Sequence, residues 1–122
     1  MKFYYCKTCK NIVYHVSDEH APVMCCGEVM KELTANTVDA SQEKHVPVVK
    51  QNGNVVLVEV GSVIHPMLDE HYIEWICLET NKGVYFKYLK PNNMPKAKFT
   101  LEEDEVVLSV YEHCNLHGLW KK

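Results

Sequence analysis

The chain has 122 residues, 47% of them hydrophobic, which is enough for one principal core and a small appendage. Its 13 basic residues are all lysine and face 16 acidic ones for a net charge of -3, so the arginine forks and basic excess that read nucleic acid are missing and that partner is excluded. No apolar run approaches the roughly 18 residues of a membrane span, and the start MKFYYCKTCK lacks the apolar stretch of a signal peptide; the expectation is a soluble, cytoplasmic protein.

In chain order, the first 26 residues hold Cys6, Cys9, Cys25 and Cys26. Short strands are expected at Phe3 to Tyr5, Ile12 to Val16 and Glu28 to Leu33. This piece carries too little apolar surface for an independent core, and a metal staple would supply what is missing. TANTVDASQ, residues 34 to 42, is polar and aperiodic and reads as a linker, which puts a boundary between a domain at 1–36 and one at 37–122. Beyond it, Val46 to Lys50 and Val55 to Val60 flank Asn52-Gly53, a hairpin signal, and Tyr72 to Glu79 and Val84 to Lys90 flank a second turn at Asn81-Lys82-Gly83. Ala97 to Leu101 and Val106 to Glu112 follow the loop PNNMP, with EEDE at 102–105 as a solvated turn. Short strands separated by turns at such intervals make an all-β reading with an antiparallel sandwich.

Six cysteines in a chain that stays inside the cell remain reduced, and clustered spacings then favour metal over disulfides. C-x2-C, fifteen residues, then C-C gives four thiolates able to surround one ion, and spacing alone leaves Zn and Fe both open. The adjacent pair Cys25-Cys26 is unusual, because neighbouring side chains diverge and the backbone must bend for both to reach one ion. A second constellation gathers His45 from EKHVP, His65 and His71 from HPMLDEH, and Cys114 and His117 from CNLHGLW. Pro66 keeps the middle stretch from forming a simple helix, so a loop can turn both its imidazoles to one point. Four imidazoles and a thiolate exceed the four donors of structural Zn, and a redox iron with one octahedral position free is the better fit.

C-x2-C-x15-C-C, EKHVPV at 43–48, GSVIHPMLDEHYIEWI at 61–76 and CNLHGLW at 114–120 together resemble desulfoferrodoxin, the two-iron-centre superoxide reductase family, over nearly the whole chain. The resemblance implies a desulforedoxin-like domain with Fe(Cys)4 at Cys6, Cys9, Cys25 and Cys26, Zn being the alternative there, and an immunoglobulin-like β-sandwich with Fe(His)4(Cys). It makes His45, His65, His71 and His117 the equatorial ligands and Cys114 the axial thiolate, and it leaves calcium open. The activity it implies is one-electron reduction of superoxide to hydrogen peroxide, with rubredoxin or a similar small protein as donor, in a homodimer. All four N-terminal cysteines are present, which separates this chain from single-centre forms.

Glu43 and Lys44 precede the first histidine ligand, and by resemblance they flank the open position: Lys44 attracts superoxide and organises a proton-donating water, and Glu43 is the carboxylate that takes the vacant place after peroxide leaves. His15, His20 and His113 read as surface or neighbouring histidines, Cys77 as a buried hydrophobe, and Trp75 and Trp120 as packing. The competing class is a metal-stapled electron carrier or binding module. A carrier, however, has no need of a free ligand position.

Overall fold

The computed structural model describes residues 1–17 and 20–122, which form two compact units, Met1–Thr34 and Ala35–Lys122. The first contains β1 (Phe3–Tyr5), β2 (Ile12–Tyr14), β3 (Met24–Cys25), β4 (Glu28–Val29) and β5 (Lys31–Glu32). They make a sheet in the order β2-β1-β5 and a separate ribbon β3-β4. The single strand expected over Glu28 to Leu33 is therefore two strands broken at Met30. Its side chain is buried with Phe3 and Cys6, and its N–H donates to the Val23 carbonyl at 2.7 Å. Burying that one side chain ends the pairing with β3 and delivers the next residues to β1.

The second unit contains α1 (Gln42–His45), β6 (Pro47–Asn52), β7 (Val55–Val60), β8 (Ile73–Thr80), β9 (Val84–Tyr88), β10 (Lys96–Thr100), β11 (Val107–Cys114) and β12 (Gly118–Lys121). Two antiparallel sheets, β10-β7-β6 and β12-β11-β8-β9, form a β-sandwich. Strand periodicity explains the packing: VVLVEV in β7 alternates between partly exposed and buried residues. Val56, Val58, Val60, Ala97 and Phe99 of one sheet share a core with Ile73, Ile76, Leu78, Val110 and Cys114 of the other. Each large member contributes about 1.5–3 kcal/mol by leaving water. Cys114 is thus a core residue as well as a candidate ligand.

Both expected hairpins form, the first with its turn moved by one residue. Asn52 pairs with Val55, so Gly53 and Asn54 make the turn, and of these Gly53 takes the positive φ of +59°, the pattern of a II′ turn. The segment 34–42 is less free than a linker: Asn36 adopts φ +61°, and its amide bridges Lys121 in both directions, at 2.9 and 2.8 Å. Among the described residues three elements escape the sequence reading: β3, α1 and β12. The last is closed onto β11 by Gly118 at φ +77°, opposite Cys114.

EEDE is not a purely solvated turn. Glu105 is buried and accepts hydrogen bonds from Thr80 Oγ1 at 2.6 Å, Tyr85 O–H at 2.8 Å and the Glu102 N–H at 2.8 Å. These donors, Thr80 foremost, hold its carboxyl below the usual range. A depressed folded-state pKa stabilises above the ordinary carboxylate range, and that stability disappears as pH falls through the folded value. Glu105→Gln should lower the melting temperature at pH 7 by about 5 °C, and the difference from wild type should shrink on acidification. Tryptophan fluorescence reads it directly, because Trp75 and Trp120 both lie in this unit.

Candidate metal centres

The first cluster answers the difficulty posed by adjacent cysteines. Cys26 and Gly27 adopt φ of +52° and +76°, so the chain reverses between β3 and β4 and swings both sulfurs to one side. On the opposing knuckle the Lys10 N–H donates to the Cys6 carbonyl at 2.8 Å, with Lys10 itself at φ +68°. The four sulfurs of Cys6, Cys9, Cys25 and Cys26 lie within 4.8 Å of one another. Separations of 3.5 Å for Cys9–Cys25 and 4.0 Å for Cys25–Cys26 are far beyond a disulfide bond of about 2.05 Å, and all are free thiols. The Cys9 N–H lowers Cys6 to about 7, whereas hydrogen bonding with Cys9 and the other thiols raises Cys26 to about 12. Four such groups ionise together when a cation sits among them.

The second cluster is assembled from three distant stretches. α1 supplies His45, the loop between β7 and β8 supplies His65 and His71, and the β11–β12 hairpin supplies Cys114 and His117. The four imidazoles stand in a square: neighbouring rings His45–His65, His65–His71, His71–His117 and His117–His45 meet edge-on at 4.7, 4.6, 5.0 and 4.9 Å, and the diagonal His45–His71 is 6.4 Å. Donor atoms of His45, His65, His71 and Cys114 lie within 4.8 Å of one another. His117 Nδ1 joins them, 3.1 Å from His45 Nε2 and 3.9 Å from Cys114 Sγ.

The tautomers decide what this square fits. His45 Nδ1–H donates to the Ser41 carbonyl at 2.7 Å and His65 Nδ1–H to the Pro66 carbonyl at 2.6 Å; a carbonyl can only accept, so both Nε2 atoms of the neutral rings are lone-pair acceptors. They face each other at 3.2 Å. His71 Nε2 is likewise buried with no hydrogen-bond partner. Burial, the first cause, depresses His45 and His71 and takes His65 to about 4, so the conflict is not relieved by protonation near neutral pH. A shared cation satisfies every one of these lone pairs, and imidazole with thiolate suits Fe, Cu or Zn.

Positioning falls to residues without ligand chemistry. Trp120, 1% exposed, stacks on His45 at 4.7 Å, and its indole N–H donates to the His117 carbonyl at 3.1 Å, so the residue read as packing orients two of the imidazoles. Asn115 brackets His71: its amide donates to the Glu70 carbonyl at 3.1 Å and accepts from the Tyr72 N–H at 2.9 Å. No spacing rule marks Asn115, because both partners lie more than forty residues away. Cys114 is raised to about 11 by burial, while the N–H groups of His117 and Leu116 pull the other way. Glu112, on the same inner face, is buried with both carboxyl oxygens unpartnered, and burial pushes its carboxyl well above the usual range.

The four imidazoles line a cavity of about 410 Å³ together with Asp39, Ser41 and Lys44; Glu43 is not among its lining residues. His113 stands outside the cluster, with Nδ1 2.8 Å from Glu74 Oε1 and its ring stacked on Trp75. Cys77 is fully buried, and His15 packs beside Tyr4. Because burial raises Cys114 and depresses His45, His65 and His71, loading Zn(II) into a Cys6→Ser, Cys9→Ser variant at pH 7 should release protons rather than take them up. Calorimetry in buffers of differing ionisation enthalpy measures the release.

The desulfoferrodoxin family model matches residues 37–122. A desulfoferrodoxin homolog of Archaeoglobus fulgidus is 47% identical over 121 residues, spanning 99% of this chain and 95% of that protein. The desulfoferrodoxin of Nitratidesulfovibrio vulgaris is 45% identical over 120 residues, 98% and 94% of the two chains. The crystal structure of the superoxide reductase from Treponema pallidum superposes with a TM-score of 0.83 at 41% identity, covering 100% of this chain and 99% of that one. With the family model covering the sandwich and these relatives covering both units, the chain belongs to the desulfoferrodoxin family.

Proposed function

We propose that the protein is a superoxide reductase, with His45, His65, His71, His117 and Cys114 holding the catalytic iron and Cys6, Cys9, Cys25 and Cys26 holding a second, auxiliary iron. The observation that carries this reading is the square of imidazoles whose lone pairs converge beside a buried thiol and under an open cavity. Iron held by that set would supply the one-electron reduction by which superoxide, with two protons, becomes hydrogen peroxide.

The rest is done by the chain. Carbonyls of Ser41 and Pro66 fix His45 and His65 with Nε2 inward, so no reorientation accompanies metal loading or turnover. The sandwich core keeps Cys114 dry on its far side, while N–H groups of the 115–117 turn support its negative charge. Lys44, lining the cavity, draws a small anion toward the imidazoles even though the chain is net acidic, and it orders a water that can pass protons. Glu43 precedes it on α1, outside the cavity lining, and by family resemblance is the carboxylate that would take the open position between turnovers. A rubredoxin-like protein as donor, a homodimer and a cytoplasmic location complete the proposal. Family membership supports all three, and the sparse core of the first unit supports pairing with a second copy.

Pre-reduced, iron-loaded protein mixed with superoxide should yield hydrogen peroxide and oxidised second-centre iron in equal amounts. Superoxide decay no faster than in buffer, or catalytic release of dioxygen, would overturn the assignment. Lys44→Ala should slow the second-order reaction about tenfold at low ionic strength with iron content retained. A full rate under those conditions would remove Lys44 from the mechanism.

A further inference from the structure

α1 is four residues long, and its own hydrogen bonds are few: the Val46 N–H donates to the Gln42 carbonyl at 2.9 Å and the Lys44 N–H to Ser41 at 3.3 Å. A helix of that length cannot hold itself in place. Its side chains Glu43 and Lys44 are exposed, so core packing does not fix them either. His45 at its end is buried against Trp120, and the turn that follows β7 grips the backbone before it. The Val63 N–H donates to the Glu43 carbonyl at 3.0 Å, and Ser62 Oγ donates to the same oxygen at 3.2 Å. Beneath them lies Gly61, where a Cβ would stand 2.5 Å from the Glu43 oxygen, 2.9 Å from the Lys44 carbonyl carbon and 3.1 Å from the His45 nitrogen. Backbone on the other side leaves no flexible atom to give way. Gly61 is required for room, not for a left-handed φ, since its φ is not in that region. The same turn continues into the site, because the His65 N–H donates back to the Val60 carbonyl at 3.1 Å.

From this we infer that the Gly61–Ser62–Val63 turn is a positioning device for Lys44, seating α1 so that Lys44 lines the cavity that the imidazoles share. Gly61 and Ser62 touch neither substrate nor ligand nitrogen. They act through the α1 backbone that Gly61 lies against, where the Glu43 carbonyl accepts both hydrogen bonds from the turn. The inference assigns a role to GSV in a stretch otherwise read for its histidines, and it rests on the superoxide reductase reading only for the choice of substrate.

The test compares Gly61→Ala, Ser62→Ala, Lys44→Ala and the double variants in the iron-loaded protein. Displacing α1 by the added methyl should lower the second-order rate with superoxide about tenfold and flatten its dependence on ionic strength, a readout that simple destabilisation does not move. Azide affinity of the oxidised protein, followed by absorbance, should fall in parallel. Hydrogen exchange at the Val63 N–H should accelerate in Ser62→Ala. Combined with Lys44→Ala, neither turn variant should add a further loss, since both act through the same ammonium. Additive losses, or an unchanged salt dependence with α1 displaced, would overturn the inference. Should Gly61→Ala fail to retain iron, Ser62→Ala decides: a partial loss of rate that vanishes on the Lys44→Ala background upholds it, and full wild-type rate, salt slope and azide affinity end it. If the wild type does not reduce superoxide, the proposed function fails, while azide affinity and hydrogen exchange still judge the turn.

Discussion

Two imidazole lone pairs pointing at each other across 3.2 Å govern the second unit. His45 and His65 reach that arrangement because each has already committed its Nδ1 proton to a backbone carbonyl, and a ring nitrogen with its partner so committed has nothing to donate. In a buried setting that depresses the pKa of both rings, protonation offers no way out near neutral pH. A protein built this way stores a local conflict that a metal cation resolves. The folding of the sandwich prepares the site, and the ion is stabilised by what folding leaves unsatisfied.

The donors differ in how firmly the fold holds them. Cys114 stands in the shared core of the two sheets, at the end of β11, so its sulfur is as fixed as Val110 or Ile76. His117 follows on the hairpin, restrained through its own carbonyl by Trp120. His71 depends on Asn115 reaching across from that same hairpin, and His45 depends on a four-residue helix seated on a neighbouring turn. Burial thus falls from the thiol in the core to Lys44 at the cavity, which suits a site whose inner face must exclude water and whose outer face must admit a small charged substrate.

The two clusters illustrate different routes to a metal site. In the first unit the ligands lie within about twenty residues, and two tight turns with left-handed residues at Lys10, Cys26 and Gly27 do the gathering. The reward is local closure of a unit with few buried side chains. In the second, five donors spread over seventy-three positions, His45 to His117, meet because strand pairing brings β8 beside β11 and β11 beside β12. Here the sandwich would have its apolar core without an ion, and the site is an addition to it.

The candidate donors were legible in the sequence because Cys and His in C-x2-C, HPMLDEH and CNLHG patterns have few other uses together. Strand existence was legible for the same kind of reason: alternation such as VVLVEV and turns such as Asn81-Lys82-Gly83 are local properties. Tertiary structure alone decided which ring nitrogen faces inward, since that follows from carbonyls at Ser41 and Pro66 placed by the backbone path. It also turned Trp120 from packing into an orienting residue, buried Glu105 of an acidic tetrapeptide under donors from β8 and β9, and found β12 and α1 in stretches of four residues, too short to show periodicity. Each of these depends on partners tens of residues away or on a single backbone angle, and neither kind of information is carried by residue type or spacing.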